Sequence, residues 1–188
     1  MYPFARMIWQ MWKHRADPAL SLGDVHVSRH HILPWDLDLF AELNNGRTLT
    51  IYDLGRVPAA HRMGLTRALR ENRWGMTMAG VHVRYRRRLR VFETVEMRTT
   101  MPYWDDRFLY IEQSMWKANG ECANHALYRG AITDSTGIVP AARVVEACGH
   151  DPRPPKAPDW IAAWIDADAL RPWPPHHDVT HRLPDVAA

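Results

Sequence analysis

Residues 76–134 read as four strands in succession, and that run constrains the fold more than any other feature. His82, Arg84, Arg86, Arg88 and Arg90 fall on one parity, and Val81, Val83, Tyr85, Leu89 and Val91 on the other. A two-residue period with one polar face is the signature of extended backbone. Arg87 breaks the apolar parity, so a register shift is expected there. Val95, Met97, Thr99, Met101 and Tyr103 share a parity in the next run. Trp104-Asp105-Asp106-Arg107 then offers a hairpin turn, because Asp side chains bond their own backbone. The run 108–117 is rich in aromatic and β-branched residues, and Asn119-Gly120 after it is a strong hairpin signal. The last strand is expected from Cys122 to Thr133, closed by Asp134-Ser135-Thr136-Gly137.

Upstream the pattern changes. A strand candidate at 24–33 is followed by a helical stretch from Asn45 to Gly64, in which Leu49, Tyr52, Ala59, Ala60 and Met63 recur near a 3.6-residue period. Asn44 or Asn45 can cap its first N–H groups, and Gly64 suits its end. Pro58 is expected to kink or split it. A shorter helix is expected at 65–73. One strand, a long helix and a run of antiparallel strands make an α+β domain, an antiparallel sheet wrapped around a central helix, at residues 24–150. Residues 1–23 form an N-terminal extension. Residues 151–188 are proline-rich, from Pro152 to Pro184, and are expected to be irregular chain with one short helix at 159–169.

Composition narrows the function classes. The chain is 46% hydrophobic and 24% charged, enough for a core without disulfides. Cys122 and Cys148 are its only cysteines, which points to a reducing compartment, the cytoplasm. A formal charge of +3 is compatible with anionic ligands but is not the footprint of a dedicated nucleic-acid binder. No run approaches the roughly 18 apolar residues of a membrane span. The N-terminus, Tyr2 to Arg15, is aromatic, Met-rich and then basic. Arg6 and Gln10 interrupt it and no small-residue cleavage site follows, so it does not read as a secretory signal. It reads either as a segment packed on the domain or a partner subunit, or as a weak interfacial membrane contact. Eleven histidines invite a metal reading. Yet His26, His30 and His31, and likewise His176, His177 and His181, lack a carboxylate or Cys at zinc-site spacing, so no metal is expected. Neither Gly-x-Ser-x-Gly nor a phosphate-cradling glycine loop occurs.

Asp36-Leu37-Asp38-Leu39-Phe40-Ala41-Glu42-Leu43-Asn44-Asn45-Gly46-Arg47 resembles the Asp-x-Asp-x-x-x-His-hydrophobic-Asn-Asn-Ala segment of hot-dog thioesterases, including the 4-hydroxybenzoyl-CoA thioesterase-like group and the plant acyl-ACP thioesterases. Leu43-Asn44-Asn45-Gly46-Arg47, Asp53-Leu54-Gly55-Arg56 and Trp104-Asp105-Asp106-Arg107 resemble the thioesterase superfamily member 6-like branch more closely. The resemblance spans residues 24–165. It implies a single hot-dog domain, a homodimer or dimer of dimers with sites near the subunit interface, and Asp38 as the catalytic carboxylate. The chain departs from the pattern where Ala41-Glu42 replaces the usual Gly–His pair, and Thr48 stands where a Tyr is common.

The residues suit that chemistry. Asp38 could attack a thioester carbonyl or take a proton from water. The helix start at Asn44, Asn45 and Gly46 could face the developing oxyanion, although Asn44 and Asn45 are also ordinary caps. Glu42, four residues after Asp38, could share its pocket and so split the two carboxyl pKa values. Arg84, Arg86 and Arg88 could receive CoA phosphates, or could be a solvated sheet face paired with Glu96 and Glu112. No cofactor is expected. The readings that follow are hydrolysis of an acyl-CoA or acyl-carrier-protein thioester, or a non-catalytic hot-dog module that binds acyl thioesters. A hot-dog hydratase lacks its Asp/His motif here.

Overall fold

Helix α2 (Asn45–Arg62) is the axis on which the rest is built. The structure, a computed structural model, describes residues 2–175 and divides into two units, 1–156 and 157–188. In the first unit α2 buries Thr48, Ile51, Tyr52, Leu54, Gly55, Pro58 and Ala59, a stripe at three- and four-residue spacing. The helix runs through Pro58 as one element rather than splitting there. Gly55 sets how closely it approaches the sheet. A Cβ at that position would lie 2.4 Å from Met97 Sδ and 3.2 Å from the Ser28 and Thr99 hydroxyls. Gly64, at φ +84°, ends the helix in the left-handed region and starts α3 (Leu65–Asn72).

The sheet contains β1 (His26–His31), β2 (Gly75–Tyr85), β3 (Thr94–Trp104), β4 (Leu109–Lys117) and β5 (Cys122–Asp134), with a two-residue β6 (Gly137–Ile138) paired to β5. Its order is β1-β3-β4-β5-β2 and every pairing is antiparallel. The expected hairpins β3–β4 and β4–β5 are present. Asp105 closes the first by accepting the Arg107 and Phe108 N–H groups at 2.8 and 2.7 Å. Gly120, at φ +84°, closes the second. β2 departs from the simple succession. It stops at Tyr85 and pairs with β5 at the far edge. The chain then travels back along the strand ends, as its bonds trace: Arg86 and Arg87 N–H to Ala123 O, Lys117 Nζ to Arg88 O, and Phe92 N–H to Ile32 O. The 86–90 part of the arginine alternation is therefore connecting chain and not strand. Of the arginines in that row only Arg84 sits in β2, which is largely exposed on both faces.

β3 alternates as read, with Val95, Met97, Thr99 and Met101 buried. An irregularity between Thr100 and Tyr103 shifts the register, so Trp104 turns inward in place of Tyr103. Under α2 lies a buried polar network. Tyr52 Oη donates to Asn124 Oδ1 at 2.6 Å, and Gln113 Nε2 donates to Tyr52 O at 2.9 Å and to Thr99 Oγ1 at 2.8 Å. These bonds fix helix to sheet, since a buried polar group without partners costs about 1–3 kcal/mol. Two helices complete the first unit: α1 (Phe4–Lys13), which packs on α2, and α4 (Ala141–Cys148), which the residue pattern had not revealed. In the second unit α5 (Asp159–Ala169) is the short helix expected there. His176, His177 and His181 lie outside the described residues. No described helix is long and apolar enough to cross a membrane.

Candidate active site at the start of the long helix

The segment between β1 and α2 folds back on itself. Leu37 bridges Leu43, Asp38 N–H donates to Glu42 O at 2.9 Å, and Leu43 N–H donates to Leu89 O at 2.8 Å. Leu39 and Phe40 form its tip and are 100% and 81% exposed. Ala41 takes φ +57°, a left-handed conformation that a Cβ disfavours. That is the place where the related pattern carries Gly.

The two aspartates of this segment go opposite ways. Asp36 is fully buried. Its Oδ2 accepts from Arg6 Nη1 at 2.8 Å and from Leu33 N–H at 3.1 Å, and its Oδ1 accepts from Arg47 Nε at 2.8 Å. Burial by itself would raise its pKa. The Arg47, Leu33 and Arg6 bonds outweigh burial and hold the carboxyl below its ordinary range. Asp36 thus ties α1 to the start of α2, a role the pattern of residues did not announce. Asp38 is half-exposed. Its Oδ1 accepts the Phe40 N–H at 2.8 Å and the more distant Glu42 N–H at 3.5 Å. Its Oδ2 has no partner among the described residues.

Glu42 does not share a pocket with Asp38. Its Oε2 lies 3.0 Å from Arg88 Nε, an ion pair lacking a well-aligned hydrogen bond. Its side chain lines a cavity of about 220 Å³ with Asn45, Thr48, Tyr85, Arg86 and Asn124, among others, and Asp38 is not in that lining. A cation therefore faces Glu42 where a second carboxylate was expected.

Asn44 is the cap: its Oδ1 accepts the Arg47 N–H at 3.0 Å. Asn45 is the first helical residue, and its carbonyl accepts from Tyr85 Oη at 3.2 Å. The Asn45 and Gly46 N–H groups have no acceptor among the described residues, as a helix start dictates. Asn44, Gly46 and Arg47 also line a larger groove of about 810 Å³, walled by Phe4, Trp35 and other residues. The helix N-terminus, with its partial positive charge, thus opens on two cavities.

The arginines divide. Arg86 and Arg88 line the smaller cavity, while Arg84 and Arg86 line a separate one of about 330 Å³ on β2, β4 and β5. Their expected acidic partners are engaged elsewhere: Glu112 with His125 at 2.8 Å and Glu96 with Arg98 at 2.9 Å. Acidic contacts of this region are instead Arg87–Glu121 and Arg88–Glu42.

Away from this site, His14, Asp17 and His26 bring potential metal-ligand atoms within 4.8 Å of one another, a grouping that spacing along the chain did not suggest. Arg62 Nη1 lies 2.9 Å from His26 Nδ1 and 3.5 Å from Asp17 Oδ2, and its guanidinium opposes a cation there. Burial first, then His14 and Arg62, lower the His26 pKa to about 4. Burial first, then Arg6, lower that of His30 to about 3.

Residues 32–165 match the family described as the Thioesterase-like superfamily. The chain is 34% identical to Protein THEM6 of Xenopus laevis over 163 residues, covering 86% of this chain and 78% of that one. Among solved structures it is similar to a DHNA-CoA thioesterase from Staphylococcus aureus, with a TM-score of 0.55 and 15% identity over 78% of this chain and 92% of that one. It is also similar to the Staphylococcus aureus protein SAV2348 in complex with CoA, with a TM-score of 0.58 and 11% identity over 76% of this chain and 94% of that one. At such identities the structural likeness is one of fold, the hot-dog arrangement of helix and curled antiparallel sheet. The family match, the frog relative and the shared fold agree: this chain belongs to the hot-dog thioesterase superfamily, in its THEM6-like branch.

Proposed function

We propose that this protein hydrolyses acyl-CoA or acyl-carrier thioesters, with Asp38 as the reacting carboxylate and the start of α2 as the oxyanion site. This reading is supported by a half-exposed carboxylate, its Oδ2 unengaged, on the segment that leads directly into a helix start whose Asn45 and Gly46 N–H groups are also unengaged. Asp38 either removes a proton from the attacking water or adds to the carbonyl to give a mixed anhydride that water then cleaves. In both routes the acyl group gains hydroxide and the thiolate leaves with a proton. Negative charge on the carbonyl oxygen is greatest in the transition state, where donors at a helix N-terminus act most strongly. Arg86 and Arg88 suit the CoA phosphates, as planar guanidiniums bond phosphate oxygens in pairs. The fold shared with a protein in complex with CoA supports that ligand class.

The same reading makes the working unit a homodimer. β2 is an edge strand, exposed along most of its length, with Met78, Val81 and Tyr85 39–43% exposed. An unpaired apolar edge is a template for another strand. The bare Leu39–Phe40 tip beside Asp38 suits a second copy that closes the site.

One observation favours the non-catalytic alternative: Asp38 Oδ1 caps its own turn, with Glu42 where the related pattern has His. Thioester hydrolysis by the purified protein, followed as free thiol over a panel of acyl- and aryl-CoA substrates, separates the two. The proposal expects turnover that Asp38→Asn abolishes. Absence of turnover in both proteins, with acyl-CoA raising the melting temperature, would replace it with the binding module.

A further inference from the structure

We infer that α1 is a docking surface for an anionic phospholipid bilayer, lying flat on it with its outer face in the headgroup region. Most of the apolar side chains of α1 face outward. Its inward face sets one apolar side chain, Met7, against the core and is otherwise polar. Arg6 bonds Asp36, Gln10 Nε2 reaches Arg29 O, and His14 bonds Asp17 and stacks edge-on against His26 at 4.6 Å. Its outward face is apolar: Phe4, Ile8, Trp9 and Trp12 are 67%, 69%, 56% and 52% exposed. Phe4, Ile8 and Trp12 recur every fourth residue, and Trp9 stacks on Trp12 with centroids 5.0 Å apart, so the four make one continuous stripe.

A helix that folds only to bury apolar surface in its own domain presents the reverse order. Here the larger apolar stripe is presented outward, while Met7 packed on the core, an ion pair and a few hydrogen bonds hold the helix in place. The chemistry at its margin selects the occupant. Lys13 and Arg15 flank the stripe in exposed positions, with the Arg15 guanidinium 4.3 Å over the Trp12 ring. Residues 1–16 contain no Asp or Glu. Aromatic side chains sit at the headgroup level, and adjacent cations are drawn to anionic lipid. Phe4 also walls the larger groove at the start of α2, so docking would bring the mouth of that groove to the bilayer surface.

The test is co-sedimentation of the full chain with phosphatidylcholine vesicles, with and without about 30 mol % phosphatidylserine, a content chosen to give a marked negative surface potential. The wild type should pellet with the anionic vesicles. Ile8→Glu combined with Trp12→Glu should lower partitioning by about tenfold or more, because it puts charge into the stripe. Lys13→Glu combined with Arg15→Glu should remove the preference for phosphatidylserine. All four side chains are exposed, so melting temperatures should stay at the wild-type value, and hydrolysis of a water-soluble thioester reports on the catalytic proposal separately. Wild type left in the supernatant with both vesicle types would overturn the inference, as would unchanged binding by the Ile8/Trp12 variant. A fall in particle mass by light scattering in that variant, without vesicle binding by wild type, would assign the stripe to a second copy of the chain instead.

Discussion

Asp36 and Asp38 stand two residues apart on one short segment, yet the protein treats them as different kinds of group. Asp36 is fully buried and bonded by two guanidiniums and a backbone N–H. Asp38 is half-exposed, spends one oxygen on its own turn and leaves the other open. Extended backbone sends alternate side chains to opposite faces, so a two-residue spacing alone does not separate them. The turn of 3-10 helix at Pro34–Asp36 does, because it points Asp36 inward just before the chain extends again at Leu37. A carboxylate fully engaged by cations is held as a structural tie. A carboxylate that is half-exposed and keeps one oxygen open is the one the proposed hydrolysis calls on.

The contrast can be broken most forcefully at Asp36. Asp36→Ala removes the carboxylate that both Arg6 and Arg47 bond, and should cost roughly 3–5 kcal/mol in denaturant unfolding. Asp38→Asn should change stability by less than about 1 kcal/mol, the ordinary range for a half-exposed polar swap.

Acid probes the buried side of the same contrast. His26 and His30 are kept neutral, with pKa values lowered from 6.5 to about 4 and about 3. The unfolded chain therefore binds more protons below pH 6.5. Their contribution is present above that pH and is lost as pH falls from 6.5 toward 4 and then 3, roughly 3 kcal/mol for His26 and roughly 5 kcal/mol for His30. Asp36 follows at lower pH, since its depressed carboxyl contributes above the normal carboxylate range and its contribution is lost as pH falls through the folded pKa. Chemical denaturation at a series of pH values should show a steep fall between pH 6.5 and 4. A flat profile there would contradict the buried neutral histidines.

What could be read in the residue pattern follows from what pattern encodes. Local periodicity located α2, α3 and the strands, because burial of one face repeats every 3.6 or two residues. Asn44 and Asp105 were legible as cap and turn because they act within three residues of themselves. Pairing was less legible. β2 leaves its neighbour in sequence for the far edge, a choice made by long-range packing around α2. Helix α4, no shorter than α3, follows the β6 turn without a side-chain cap or an acidic first turn to mark its start. The Asp36 tie was hidden because one of its arginines lies 30 residues away on α1. The Glu42–Arg88 pair was hidden because it depends on the path of the 86–93 connection. Asn45 and Glu42 line one cavity while Asn44 and Gly46 line another, and Arg84 faces a different cavity from Arg88.

Smaller effects sharpen the picture at the helix start. Asn44→Ala removes the cap on Arg47 N–H and should cost about 1 kcal/mol by thermal or denaturant unfolding. Ala41→Gly should stabilise by up to about 1 kcal/mol, because φ +57° strains Ala and not Gly. A loss of stability in Ala41→Gly would show that this turn is not left-handed in solution.

The most direct test measures melting temperature and thioester turnover together for wild type, Asp36→Asn and Asp38→Asn. The account predicts a large fall in melting temperature for Asp36→Asn. For Asp38→Asn it predicts a near-wild-type melting temperature with turnover abolished. Wild-type turnover in a folded Asp38→Asn protein would contradict it.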